Sequence, residues 1–275
     1  MDRRKVVLTG LGVVSSVGLG AQPFWEALLA GRSGIRPIAG FEVADMSCRI
    51  AGQVHEFDPL TWLDKKSARR LDPVTQYAVA AGDMALADSG LRIPDFDPFR
   101  IGVILGTGIG GLHEIEEQAR TLFDRGPGRV SPFFVPKLMA NAASGELSIR
   151  YGARGPNFTT VSACASAAHA IYASLRVIQY GEADVVFTGG SEVAVTRLGL
   201  AGFCALRALS TRNAVLADSS SSVQNIADAS ATVETGSNNG DSDAAAVGYI
   251  LFVIIMSFSL LQMRWFRMGE EAGDS

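Results

Sequence analysis

Residues 156–170 read PNFTTVSACASAAHA: a β-rich run, PNFTTV, passes directly into an alanine-rich helical run with Cys164 at the junction. That junction places the thiol at a helix N-terminus. There the positive end of the helix dipole and the unpaired N–H groups of the first turn favour thiolate over thiol, and they offer donors to an oxyanion on a bound carbonyl. An acyl-transferring nucleophile needs both. The competing reading of the same residue is a small apolar cysteine buried on a core helix.

Outward from this junction the same grammar recurs. KVVLTG (5–10), IGVILG (101–106) and ADVVFTGG (183–190) are short β-branched runs that end in glycine. They accompany helical stretches, PFWEALLAG (23–31), GLHEIEEQARTLF (111–123) and VTRLGLAGFCALRAL (195–209). Strands apolar on both faces are buried under helices on both sides of a sheet, so the pattern predicts a layered α/β core over residues 1–213. DPVTQYAVAAGDMALADSG (72–90) predicts one well-marked helix, with Asp72 as its cap, Pro73 in its first turn and Gly90 at its end.

At 275 residues and 48% hydrophobic content the chain is long enough for one large or two ordinary domains. A net charge of −4 argues against a general nucleic-acid binder. Cys48, Cys164 and Cys204 form no CxxC pair and leave an odd thiol, which disfavours a disulfide framework or structural zinc; a reducing cytosol fits best, and no metal is expected. The start, MDRRKVVLTGLGVV, reads as a first strand and turn rather than a signal peptide, so the globular part is expected in the cytoplasm.

Beyond Asn213 the texture changes. Residues 214–243 are rich in serine and small polar residues with no apolar period, and they read as a linker. AAAVGYILFVIIMSFSLLQM (244–263) then carries no charge over twenty residues, enough to cross a hydrocarbon core of about 30 Å, and predicts a single transmembrane helix followed by a polar tail, 264–275. A helix buried inside a folded protein is the alternative. Arg264 and Arg267 would hold the C-terminus in the cytoplasm by the positive-inside tendency, which conflicts with a cytoplasmic globular half on a single span.

Six motifs in this order resemble the β-ketoacyl-acyl-carrier-protein synthases, the elongating condensing enzymes of fatty-acid and polyketide synthesis: VVLTGLGVVSSVG (6–18), GTGIGGL (106–112), SPFFVP (131–136), YGARGPNFTTVSACASAAHA (151–170), YGEADVVFTGGSE (180–192) and GFCALRALSTRN (202–213). The resemblance implies a thiolase-like αβαβα fold made of two related halves, of which this chain carries the first. It implies an acyltransferase whose catalytic residue is Cys164, which takes an acyl group from a phosphopantetheine thioester. Ile109, Phe134 and Phe203 resemble positions that line the acyl-chain pocket, Phe134 reaching toward a partner subunit. Lys66, Arg69 and Arg70 in LDKKSARRLD (63–72), with Arg207, resemble a patch that docks the acidic acyl carrier protein. Ordinary core packing for Ile109 and Phe203, and a solvated helix face for the basic residues, are the plainer alternatives. The resemblance further implies a homodimer and no cofactor.

The family's two catalytic histidines and supporting lysine lie in its second half. Here the histidines are His55, His113 and His169, and no lysine follows Lys137. His169, five positions after Cys164, is a poor base for that thiol and reads as a satisfied core or interface histidine. The tail is similar only to the last transmembrane helix of sugar-transporter permeases. The expectation is therefore a condensing-enzyme half that is truncated or joined near residue 213 to an unrelated piece. The alternative is a non-catalytic membrane-anchored or partner-binding protein.

Overall fold

The computed structural model describes residues 4–213 and, as backbone, residues 258–265. The first strand, β1 (Val6–Ser15), turns tightly into β2 (Gly18–Leu19), and helix α1 (Ala21–Leu29) follows. A two-residue ladder, β3 (Arg36–Pro37) with β4 (Ile50–Ala51), folds the next loop back on itself. Next come α2 (Lys65–Arg70), α3 (Pro73–Ser89), β5 (Ile101–Gly106), α4 (Leu112–Arg125), the short α5 (Phe134–Leu138) and α6 (Ala142–Tyr151). β6 (Asn157–Thr160), α7 (Ser166–Gln179), β7 (Val185–Gly190) and α8 (Arg197–Ala205) complete the first 213 residues, and β8 spans Phe258–Trp265.

The strands form one six-stranded sheet in the order β2-β1-β8-β7-β5-β6. β5 pairs parallel with both β6 and β7, whereas β8 runs antiparallel between β1 and β7. Alternation along the strands divides the core into two faces. Ile101, Val103 and Leu105 of β5, with Val185 and Phe187 of β7, pack beside Val79, Ala81 and Leu147 of α3 and α6. Ile104 and Val186 point the other way, onto Ala170, Val177 and Ile178 of α7. Helices therefore cover both faces, the α/β layering expected from strands that are buried throughout.

The expected helix over 72–90 forms as α3. Asp72 accepts a hydrogen bond from the amide of Val74 at 3.0 Å, Pro73 opens the first turn, and Gly90 closes the helix at φ 64°. Inside β1 a glycine has a steric reason. A Cβ at Gly12 would run into the backbone of Ala81 in α3, so β1 and α3 approach more closely than side chains permit.

The transmembrane expectation is not supported, and it is corrected for its last six residues. Of the span 244–263, residues 258–263 lie in β8, a strand that continues to Trp265 and pairs on both sides; residues 244–257 and the rest of the tail lie outside the described residues. Among the described residues no helix is long and apolar enough to cross a membrane. Hydropathy alone does not separate a strand from a membrane helix over an uncharged run of this kind.

Candidate active site around Cys164

Cys164 sits in a single 3-10 turn, Ala163–Ala165, that joins β6 to α7. Its side chain is exposed, unlike that of Cys48, which excludes the buried-core reading. The turn is held by a compact set of bonds. Ser166 Oγ donates to the Ala163 carbonyl at 2.7 Å and accepts from the Ser162 amide at 2.8 Å, while Thr160 Oγ1 donates to the Ser166 carbonyl at 2.7 Å. Ala163, next to the thiol, has φ 51°, a left-handed conformation that costs about 1–2 kcal/mol for a residue with a Cβ. The buried Ser166 network holds that strain, and the result is a sharp elbow that lifts Cys164 to the surface at the start of α7. The Cys164 amide donates no hydrogen bond to any described residue, leaving a free N–H beside the sulfur.

The strand-ending glycines set the floor of the site. A Cβ on Gly106 would lie 2.5 Å from the amide nitrogen of Ala167, and one on Gly190 would lie 2.7 Å from Ala167 Cβ. The first turn of α7 thus rests directly on the ends of β5 and β7, and side chains there would push the thiol away.

Beside this floor, the loop GTGIGGL is clamped by a side chain that the sequence reading passed over. Glu192, just past β7, accepts at Oε2 from the Gly108 amide at 2.6 Å, the Ile109 amide at 3.0 Å and Thr107 Oγ1 at 3.1 Å. Its other oxygen is buried without a partner. Burial raises the Glu192 carboxyl above its ordinary range, against the pull of those donors. The only mark in the sequence was a carboxylate two residues past a strand-ending Gly-Gly pair, which does not say where it turns.

The segments that carry the three expected pocket residues converge near the start of α4. Ile109, 41% exposed, lies in the clamped loop; the Gly111 amide of that loop donates to the Leu138 carbonyl of α5 at 3.3 Å, and half-buried Phe134 opens the same α5. Phe203 lies on α8, where it packs with Cys204 on a cluster that includes Cys48, Ile50 and Leu200. α8 docks on α4 through the Leu198 amide, which donates to Glu116 Oε2 at 3.0 Å. Beneath α5, buried Glu114 receives Lys137 Nζ at 2.7 Å, an ion pair that also escaped the sequence reading.

Lys66, Arg69 and Arg70 are exposed along α2, which Asp64 caps by accepting from the amides of Lys66 and Ser67. The Arg70 guanidinium lies over the Phe133 ring, 4.9 Å from its centroid, which brings the basic helix against the segment leading into α5. Arg207 is exposed at a left-handed position just past α8, on a separate segment.

Of the two places expected for His169, core and interface, the structure excludes the core: the residue is exposed, and its Nδ1 lies 2.7 Å from Ser162 Oγ. His113 is exposed at the start of α4, near Asp72, and His55 lies in a loop after β4.

Residues 3–234 match the family model described as the N-terminal domain of beta-ketoacyl synthase. The chain belongs to the β-ketoacyl synthase family. It is 45% identical over 213 residues to 3-oxoacyl-[acyl-carrier-protein] synthase 2 of Synechocystis sp. and 48% identical over 213 residues to the protein of that name from Vibrio cholerae, in each case over 78% of this chain and 51% of the relative. The chain therefore spans about half the length of these curated relatives. Among solved structures, the ishigamide ketosynthase/chain length factor superposes with TM-score 0.71 at 32% identity, over 76% of this chain and 52% of that one. A beta-ketoacyl synthase from Burkholderia phymatum gives TM-score 0.67 at 30% identity, over 77% and 52%. Within this β-ketoacyl synthase domain the elbow of Cys164, the Gly106–Leu112 loop and the clamp from Glu192 occupy one end of the sheet, where the parallel strands β5, β6 and β7 terminate.

Proposed function

We propose that the chain performs the acyl-transfer half of a β-ketoacyl-acyl-carrier-protein synthase reaction, with Cys164 as nucleophile. The sulfur attacks the carbonyl carbon of an acyl thioester and forms a new C–S bond. The phosphopantetheine sulfur leaves with the electron pair of the broken bond and takes a proton. The exposed thiol on a strained elbow at the start of α7 carries this reading. The free amide of Cys164 and the dipole of α7 supply the stabilisation that the tetrahedral oxyanion requires.

The acyl chain is placed along Ile109, Phe134 and Phe203. The carrier protein is placed against Lys66, Arg69, Arg70 and Arg207, whose charge complements an acidic partner; the name of the curated relatives, 3-oxoacyl-[acyl-carrier-protein] synthase 2, supports that choice. The reaction then takes place in the cytoplasm, where the carrier is. A homodimer is proposed through β6, an edge strand of the sheet that exposes Phe158.

Condensation with a malonyl unit is excluded from the proposal for this chain, because its three histidines include none beyond α7 and no lysine follows Lys137. Incubation with an acyl carrier thioester followed by peptide mass spectrometry tests the assignment. An acyl adduct on the Cys164 peptide, absent from Cys164→Ser, is expected. An unmodified peptide, or an adduct at another residue, favours the partner-binding alternative.

A further inference from the structure

At the opposite side of the sheet from β6 lies a polar cavity of about 180 Å³, lined by Ser16, Arg32, Ser33, Arg36, His55 and Glu56 together with the β1–β2 turn. β1 and β6 are separated by four strand spacings of about 4.8 Å each, so the cavity stands clear of the Cys164 elbow. The fold builds it deliberately close. A Cβ on Gly34 would collide with the side chains of Ser16 and Val17, so the glycine lets the 32–36 loop lie on the β1–β2 turn without displacing them.

The chemistry of the lining is specific. None of the ion pairs among the described residues uses Arg32, Arg36, His55 or Glu56. Other arginines in the molecule are engaged: Arg100 with Asp184, Arg150 with Asp83, and Arg197 with Asp45. Ser33 Oγ accepts from the Ile35 amide at 3.2 Å, which leaves its proton free to donate, and the Ser16 hydroxyl is bonded to no described residue. Two unpaired guanidiniums, two hydroxyl donors and an imidazole around one cavity match an oxyanion with several acceptor oxygens. Glu56 on the same rim repels a bare anion, and it accepts a hydrogen bond from a hydroxyl attached to one.

We infer that this cavity is a binding site for a phosphate group of a small phosphate monoester, held by Arg32 and Arg36. The two arginines grip the phosphate oxygens, Ser16 and Ser33 donate to them, and Glu56 receives a hydroxyl on the ester side. The site is independent of acyl transfer at Cys164.

Calorimetric titration of the full chain with inorganic phosphate, glycerol 3-phosphate and acetate tests the inference. Saturable phosphate binding is expected, weakening as salt is added, tighter for glycerol 3-phosphate and weaker for acetate. The Arg32→Ala/Arg36→Ala variant should lose at least about tenfold in affinity, a change of about 1.4 kcal/mol, while Arg92→Ala, which alters an arginine elsewhere on the surface, should bind as the parent does. Glu56→Gln should bind inorganic phosphate more tightly, a gain that no misfolded variant produces. Absence of saturable phosphate binding, equal affinity for acetate, or undiminished affinity in the double arginine variant would each overturn the site.

Discussion

Replacing Gly106 by alanine tests whether the close seating of α7 on the strand ends governs the thiol. The new Cβ would run into the Ser166 carbonyl and lie 2.5 Å from the amide nitrogen of Ala167, whereas ordinary contact begins at 3.4 Å, so at least about 0.9 Å must be made up by moving backbone. No flexible side chain is available to yield, because the atoms met belong to the first turn of α7. Overpacking of this kind costs about 1–3 kcal/mol in stability. Moving α7 by that distance carries Cys164 with it, and a misplacement near 1 Å can cost about 10²-fold in rate. Gly145→Ala in α6 is the matched control: nothing lies within 4 Å of its added Cβ, and it should stabilise by about 0.5–1 kcal/mol. Urea denaturation gives the stability, and the rate of Cys164 acylation by an acyl thioester gives the position of the thiol. A Gly106→Ala chain as stable as the parent, with an unchanged acylation rate, would refute the reasoning.

Three further outcomes are expected. Lys137→Met strands the buried Glu114 carboxylate and should cost about 3–5 kcal/mol in urea denaturation, most of it recovered when Glu114→Leu is added; an unrecovered loss would mean that the pair is not the cause. The Glu192 carboxyl is raised from 4.5 by burial, so it binds its proton more tightly folded than unfolded; its contribution is full below 4.5 and declines as pH rises through the folded value. The stability of the parent relative to Glu192→Gln should therefore fall as pH rises above 4.5, and a rising difference would contradict the shift. Leu261→Pro, in a strand whose position 261 pairs with Leu11 and Thr188, should remove ladder bonding between β1 and β7 and lower stability by about 1–3 kcal/mol; an unchanged unfolding curve would remove β8 from the sheet.

Much of the fold was legible because local chemistry and tertiary structure agree. IGVILG reads as a buried strand and is one, from Ile101 to Gly106, and Asp72, Pro73 and Gly90 bracket a helix by rules that act over a few residues. Cys164 was legible for the same reason: its neighbours on either side have opposite secondary-structure preferences. The Glu192 clamp was not, since its partners lie more than 80 residues earlier and nothing in a Gly-Gly-Ser-Glu run says where the carboxylate turns. In the tail, hydropathy alone does not separate a membrane helix from a strand, and residues 258–265 form a strand between β1 and β7. Only the unfilled place between β1 and β7 distinguishes them, and that is a property of the assembled sheet. For His169 the sequence left core and interface open, because the alanines around it do not say which side of the helix faces out; the structure removes the first.

The most direct test of the central claim supplies the 275-residue chain with acyl and malonyl carrier thioesters together and follows both products by mass spectrometry. The account predicts an acyl group on Cys164, one equivalent of carrier thiol released for each group bound, and no 3-oxoacyl thioester. A 3-oxoacyl product that disappears with Cys164→Ser would show that this chain completes the condensation, and a chain that never acquires the acyl group would show that Cys164 is not its nucleophile.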